Sequence, residues 1–261
     1  MPSTSLHTNV VAFLAAASLV VVSSCGGTEQ APAATAPPPN AKRVDAAKAG
    51  NVAGRVTFEG TPPANEKIPM GSDPVCAREN SGGVSFDTVV VDNGGLENVF
   101  VYVKDGLGDY YFDVPTEPVT LDQKGCRYTP HILGLRVGQP LEIVNSDATM
   151  HNVHAMPNVN SEFNFSQHLT GMKQQKTFTA REVMVRFKCD VHTWMSAYAG
   201  VLDHPYFAVT ANGGQFQLKG LPAGTYTVEA WHETLGTASQ SVTLGEKEDR
   251  NITFTFKATT N

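Results

Sequence analysis

The sequence has little of the apolar spacing that predicts amphipathic helices. Apolar and polar residues alternate instead over short runs that are bounded by Gly, Pro and Asn. A period of two is typical of strands that bury one face. The clearest runs are 52–58, 98–103, 133–137, 141–143, 183–189, 215–218, 225–231, 241–244 and 252–256. They predict an all-β chain built from sandwiches or barrels.

Basic residues are also scarce, since 19 Lys and Arg stand against 25 Asp and Glu, for a formal net charge of -6. There is no basic stripe, so nucleic acid is not an expected partner. No Ser/His/Asp arrangement and no phosphate-binding loop stands out. We therefore expect a protein that is not an enzyme.

The N-terminus has no Lys or Arg in residues 1–9, which counts against an export signal. The apolar run at 10–22 nevertheless fits a signal-peptide core and is too short for an ordinary membrane-spanning helix. It ends in Val-Ser-Ser-Cys-Gly, which is similar to the cleavage site of bacterial lipoproteins. That resemblance implies a signal peptide at 1–24, a lipid on Cys25 and, from Gly26, delivery to the outer membrane. A plain signal peptide followed by an incidental Cys remains the alternative.

The stretch 25–49 is rich in Ala and Pro and predicts a linker. With a lipid on Cys25, we expect the chain to be anchored to a membrane surface, in the bacterial periplasm or on the cell surface. About 210 residues remain, which is enough for one large β domain or two small ones.

Cysteine, histidine and methionine lie close together late in the chain. In the run 183–189, a period of two places Val183, Val185, Phe187 and Cys189 on one face, so the thiol is expected to point inward. The run continues as Cys-x2-His-x2-Met at 189–195, and Asn-Ser-Asp-Ala-Thr-Met-His-Asn-Val-His precedes it at 145–154. Two His, one Cys and a weak axial Met are the ligands of blue-copper sites.

The stretch from about Val119 to Asp203 resembles a cupredoxin of the amicyanin and plastocyanin type. The resemblance rests on the 189–195 spacing, on the Asn-x5-His-Asn pattern at 145–152 and on the strand pair before it. It implies one mononuclear copper, held by His151, Cys189, His192 and an axial Met195. It also implies that Asn145 and the Asn152 backbone N–H brace the ligand loop and the thiolate.

Several features qualify the predicted copper site. Val191 stands where the usual Pro precedes the second His, Thr193 follows that His, and Asp190 is expected to disfavour Cu(I) unless a hydrogen-bond partner neutralises it. Position 185 is Val, where a dinuclear copper site needs a second Cys, and no His-x-His pair offers a trinuclear site. A buried free Cys with ordinary histidines is the alternative to a metal site.

Cys76 and Cys126 do not fit the copper ligand set. An oxidising compartment pairs free thiols, so the simplest expectation is a disulfide that closes a loop of about 50 residues. Two separate thiols are the alternative.

The C-terminal stretch 208–230 resembles the carboxypeptidase regulatory-like, or transthyretin-like, sandwich, and its opening strand matches 52–60 far upstream. This implies a nested order: 50–114 begins the sandwich, 115–203 is an inserted cupredoxin, and 204–258 completes the sandwich. Domains in series are the alternative. Some such sandwiches bind carbohydrate and others are scaffolds, and Trp231 is the candidate sugar platform.

These features together predict a lipid-anchored carrier of single electrons between redox proteins that dock transiently. The expected electron port is the edge of His192, with Trp194, Met150 and Pro157 around it. A copper trafficking or storage protein is one alternative. A structural or carbohydrate-binding lipoprotein with a vestigial copper site is another.

Overall fold

The computed structural model describes residues 1–3, 37 and 39–258. Cys25, nearly all of the predicted signal peptide and most of the predicted linker lie outside the described residues. Among the residues that are described, no helix combines the length and the apolar character needed to cross a membrane.

The predicted all-β class is confirmed, since strands dominate the part of the chain that the structure describes. The strands are β1 (Gly50–Glu59), β2 (Val91–Asp92), β3 (Gly95–Leu96), β4 (Phe100–Asp105), β5 (Val119–Gln123), β6 (Tyr128–Thr129), β7 (Ile132–Arg136), β8 (Pro140–Asn145), β9 (His151–Met156), β10 (Phe163–Gln167), β11 (Lys173–Thr177), β12 (Glu182–Lys188), β13 (Ser196–Leu202), β14 (Phe207–Val209), β15 (Gln215–Leu221), β16 (Gly224–His232), β17 (Gly236–Leu244) and β18 (Asp249–Lys257). A 3-10 turn (Met70–Ser72) and a short helix α1 (Pro74–Glu79) lie between β1 and β2.

The first sandwich is built from the two ends of the described chain. One sheet has the order β15-β1-β3-β2, with β18 parallel to β1, and the other has the order β14-β4-β16-β17. Alternate residues of both sheets form one apolar core, which includes Val52 and Val56 from β1 and Val228 and Ala230 from β16. Strands before residue 106 and strands after residue 206 therefore share the same two sheets.

The second sandwich uses the strands between them. Its sheets have the orders β10-β9-β12-β13-β7 and β11-β8-β5-β6, and the first of these pairs β13 parallel to β7. Its core holds Leu121, Ile143, Val153 and Phe187 from the two facing sheets. Cys189 and Met195 belong to the same core, at one end of the sandwich.

The two sandwiches pack through the outer faces of β4 and β13, inside one compact unit. On β4 the period of two turns Val101 into the first core, while Phe100 and Tyr102 join the cluster between the sandwiches. A Cβ on Gly200 of β13 would lie 2.3 Å from the Phe100 ring, so only glycine lets this ring approach the strand. Trp231 packs on Tyr198 in this cluster, with ring centroids 5.2 Å apart, and is partly buried there.

Strand β12 departs from the regular alternation expected at 183–189. Its pairing with β13 shifts register between Glu182 and Val185, and Val183 packs in the cluster between the sandwiches. Val185, Phe187 and Cys189 do lie in the second core. The expectation that Val183 shares their face is wrong, because the register shift turns the start of the strand around.

The last part of the predicted linker lies along the folded unit. Lys42 bridges to Tyr110, Arg43 pairs with Asp113 at 2.6 Å, and Lys48 pairs with Glu246 at 3.0 Å. These contacts are exposed and each contributes little stability alone.

Candidate metal centre

Three side chains with metal-binding atoms converge at one end of the second sandwich. His151 begins β9, and Cys189 and His192 lie in the loop that joins β12 to β13. Their ligand atoms all lie within 4.8 Å of one another. The side chains are buried, with 0%, 1% and 3% exposed for His151, Cys189 and His192. Residues 38 apart in the sequence thus meet because β9 and β12 are paired neighbours.

The two imidazole rings are oriented alike. Their Nδ1 atoms face each other at 2.9 Å, while each Nε2 faces a carboxylate. His151 Nε2 lies 2.9 Å from Asp147, and His192 Nε2 lies 3.2 Å from Asp73. When both Nε2–H groups donate to these carboxylates, both Nδ1 lone pairs point into the same space. Either a proton on one Nδ1 or a metal ion bound to both satisfies this contact, so the arrangement fits a metal ion.

Backbone hydrogen bonds hold the Asp147 carboxylate in place. Its two oxygens accept hydrogen bonds from the backbone N–H groups of Gly125 and Cys126, both at 2.7 Å. Burial raises the pKa of Asp147, but the bonds from His151 and from these N–H groups outweigh it and lower that pKa. Burial lowers the pKa of His151, and Asp147 and Cys189 more than reverse this, to about 9. The His151 ring is therefore held by a carboxylate whose two oxygens both accept backbone hydrogen bonds.

The Cys189 sulfur has an environment that favours a thiolate. It accepts N–H hydrogen bonds from Asn152 at 3.5 Å and from His192 at 3.3 Å. Burial raises the pKa of Cys189, while the two histidines and the backbone N–H groups lower it to about 6. The thiolate is the form of Cys that binds metals. Among the described residues, Cys189 is also the one cysteine outside a disulfide.

Met195 closes the same loop and is 1% exposed. Its N–H donates to the carbonyl of His192 at 2.9 Å, and its carbonyl accepts from the N–H of Cys189 at 3.2 Å. These bonds tighten the loop into one turn. Met195 packs in the same apolar cluster as Cys189, and a thioether is the usual weak fourth ligand of blue-copper sites.

A segment from outside the second sandwich covers His192. This cap, residues 70–80, comprises the 3-10 turn, Asp73, helix α1 and Asn80. Cys76 of the cap is bonded to Cys126, and both are fully buried. The predicted disulfide is thus confirmed. Cys76 Sγ lies 3.9 Å from His192 Nε2, so the bridge packs directly on the ligand ring.

The edge of His192, which the sequence predicts to be the electron port, is buried in the structure. That edge meets Asp73 and the disulfide instead of solvent, because the cap lies over it. Trp194 packs on the His192 ring, with centroids 5.0 Å apart, and donates from Nε1 to the carbonyl of Cys126 at 3.0 Å. Met150 and Pro157 are half-buried at opposite ends of β9. At about 3.3 Å per residue, Pro157 lies roughly 20 Å from His151.

The two predicted bracing residues bond to the ligand loops. Asn145 donates to the carbonyls of Thr149 and Gln167, at 2.9 and 3.0 Å, and thereby shapes the turn before His151. Asn152 bonds to Asp190 from both its amide atoms. Lys188 pairs with Asp190 at 2.8 Å, and that contact leads the causes that lower its pKa. Lys188 and Asn152 are therefore the partners that neutralise the charge of Asp190, which the sequence alone did not identify.

Sequence reasoning missed Asp73, Asp147 and Thr149. Asp147 lies four residues before His151, a spacing that could have flagged it. Asp73 precedes Pro74, which is a helix-start signal, but nothing local connects it with His192. Two further groups, Asp73/Cys76/His192 and Cys126/Asp147/His151, also bring possible ligands together. Their cysteines are joined in the disulfide, so neither group offers a thiolate.

About a third of the chain is similar to solved cupredoxin structures. A Cu(I) amicyanin variant is 22% identical, with 34% of this chain and 85% of that chain covered and a TM-score of 0.30. A reduced amicyanin variant is 19% identical, with 40% and 99% covered and a TM-score of 0.30. A purple cupredoxin from Nitrosopumilus maritimus is 19% identical, with 32% and 98% covered and a TM-score of 0.28.

No protein-family model matches the chain, and no curated protein matches it in sequence. At TM-scores of 0.30 and below, the similarity to solved structures decides neither metal nor activity. The residues themselves carry the conclusion that two imidazoles and a thiolate form a buried group able to hold a metal ion.

Proposed function

We propose that the chain is a type 1 copper protein that carries single electrons between redox partners and is not an enzyme. The observation that carries the proposal is the convergence of two Nδ1 atoms and one thiolate of lowered pKa in a buried space. His151, Cys189 and His192 would hold the copper, with Met195 as the weak fourth ligand. Bound there, copper supplies a one-electron couple between Cu(II) and Cu(I).

The protein's own part is to keep the ligands in place in both oxidation states. Asp147 and Asp73 hold the two imidazoles, and the N–H groups of Asn152 and His192 hold the sulfur. The ligand loop joins two hydrogen-bonded strands, β12 and β13. Because the ligand loop is held between paired strands and both rings have carboxylate partners, the ligands would move little between oxidation states, which favours electron transfer.

Burial supports a carrier over a trafficking or storage protein. All four proposed ligands are at most 3% exposed, and the disulfide-bonded cap lies over His192. A protein that passes copper to a partner needs ligands that the partner can reach. These four residues offer no such access, which favours a protein that keeps its copper and exchanges only electrons.

The proposed location of the protein is inferred from its N-terminal sequence. A lipid on Cys25 would anchor the chain to a membrane in the periplasm or at the cell surface, at the outer membrane if Gly26 directs it there. Redox proteins would then dock transiently on the folded unit. The first sandwich serves in this proposal as a scaffold related to the carboxypeptidase regulatory-like sandwich. Trp231 packs against Tyr198, which disfavours a sugar platform at that residue.

The deciding experiment is an absorption and EPR spectrum of the purified protein loaded with Cu(II). We expect an intense blue band and narrow copper hyperfine splitting, because a thiolate binds the copper. A competing chelator should remove the copper slowly. A colourless protein, or an ordinary tetragonal copper signal, would contradict the proposal, and fast loss of copper to the chelator would favour trafficking.

Met195→Leu should leave copper bound and raise its reduction potential. Leu removes a sulfur donor from Cu(II) and leaves an apolar contact that favours the ion of lower charge. A tenfold change in relative affinity for the two states corresponds to about 59 mV for a one-electron couple, and we expect a shift of this order, measured by redox titration. Met156→Leu makes the same change at an exposed residue and serves as control. Equal potentials for both variants would remove Met195 from the ligand set.

A further inference from the structure

The group that faces Nε2 of His192 comes from far upstream. The strands of the second sandwich run from Val119 to Leu202, whereas Asp73 lies 119 residues before His192. His151 obtains its carboxylate locally, from Asp147 four residues earlier. The two imidazoles are therefore held in the same way by groups of different origin. A second sandwich without the cap would contain only one of the two carboxylates.

Asp73 divides its two oxygens between two tasks. Oδ1 accepts from the N–H groups of Val75 and Cys76, at 2.7 and 3.0 Å, and so caps helix α1. Oδ2 accepts from the hydroxyl of Thr149 at 2.9 Å and faces His192 Nε2 at 3.2 Å. Thr149 lies two residues before His151. Asp73 thus connects the cap to both histidine-bearing segments.

The cap has little freedom to leave this position. The Cys76–Cys126 bridge ties α1 to the segment before β6, where the N–H of Cys126 donates to Asp147. Asn80 at the end of α1 donates to the carbonyl of Gly125 at 3.2 Å. Met70 is buried in the same small cluster as the two cysteines. Asp73 is 18% exposed, so its charge is only partly screened by water.

We propose that Asp73 is a positioning residue for His192, supplied by the cap, which sets the reduction potential of the site; this inference rests on the proposed copper function. The carboxylate accepts the Nε2–H and holds Nδ1 toward the other ligands. Its negative charge acts through the ring and stabilises Cu(II) more than Cu(I). The metal centre is therefore completed by the chain segment that precedes the second sandwich.

Asp73→Asn tests this with the helix cap retained, since the amide oxygen can still accept from Val75 and Cys76. The Nε2–H of His192 then loses its charged acceptor. We expect a higher reduction potential, by a tenfold change in relative affinity, or about 59 mV. Nitrogen NMR of the metal-free and Cu(I) proteins gives a second readout. The His192 Nε2–H should exchange slowly with solvent in the wild type and much faster in the variant.

Glu79→Gln is the matched control, because Glu79 is an exposed residue of the same helix and loses the same charge. Its potential and its His192 N–H exchange should equal those of the wild type. Asp73→Ser is the second variant, since Ser still caps a helix but is too short to reach His192. Mass analysis of the disulfide shows whether each variant has folded with the cap in place.

The outcomes separate this inference from the proposed function. A normal blue spectrum with wild-type potential and wild-type N–H exchange in both Asp73 variants overturns the role of Asp73 alone. A shift of equal size in Glu79→Gln also overturns it, because charge without contact would then suffice. A wild-type protein with no type 1 spectrum overturns the proposed function and this inference together.

Discussion

We expect Cys189→Ser to abolish essentially all of the blue absorption and to lower copper affinity by more than about 100-fold. Outer hydrogen-bond partners alone account for about 10–100-fold in affinity at metal sites, and here a ligand itself is lost. The hydroxyl of Ser is not ionised near neutral pH and is a poor ligand for Cu(I). Absorption spectra and a chelator competition at neutral pH measure both quantities.

His154→Gln is the control for Cys189→Ser. His154 lies on the same strand as His151, but its ring is held between Asp190 at 3.1 Å and Glu162 at 2.6 Å, away from the converging ligand atoms. This variant should stay blue. A blue Cys189→Ser protein, or a colourless His154→Gln protein, would show that the ligands are assigned wrongly.

The second large effect concerns the disulfide. We expect the double variant Cys76→Ala/Cys126→Ala to lose about 4 kcal/mol in the free energy of unfolding, because the bridge closes a loop whose ends are 50 residues apart. The double change avoids leaving a single thiol beside His192. Chemical denaturation followed by tryptophan fluorescence measures the loss, since Trp194 packs beside the bridge.

The same variant should release copper to a chelator faster than the wild type, because the cap is no longer covalently attached. Asn80→Ala is the control, since it removes only side-chain hydrogen bonds of the cap, to Cys76 and Gly125. Losing these bonds should cost about 1 kcal/mol. If the double variant is as stable as Asn80→Ala, the bridge contributes no more than local contacts do.

Much of the fold could be predicted from alternation alone, because a strand that buries one face has an apolar residue at every second position. The run at 225–231 lies inside β16, and that at 252–256 lies inside β18. Alternation failed at Val183, where the register shifts and the local pattern carries no sign of it. Short polar strands such as β11 (Lys173–Thr177) have no apolar face to reveal them.

The candidate ligands could be predicted because three of the four lie on one short loop, at spacings that only a few kinds of site use. The cap could not, because its six-residue helix is too short to show periodicity. Its contact with His192 joins residues 119 apart, and nothing in a single sequence indicates that these two residues are close in space. For the same reason the edge of His192 was expected to be open to solvent.

The nested pairing of the strands also bears on the route by which the chain folds. Val101 of β4 pairs with Ala208 of β14, so the first sandwich needs contacts across more than about 100 residues, which are slow to form in an open chain. The second sandwich is contiguous in sequence and closes shorter loops. Where the chain enters and leaves it, the N–H of Val103 donates to the carbonyl of Tyr206 at 3.0 Å. We therefore expect the inner sandwich to form first, which would bring β4 and β14 side by side and leave the outer sandwich a short loop to close.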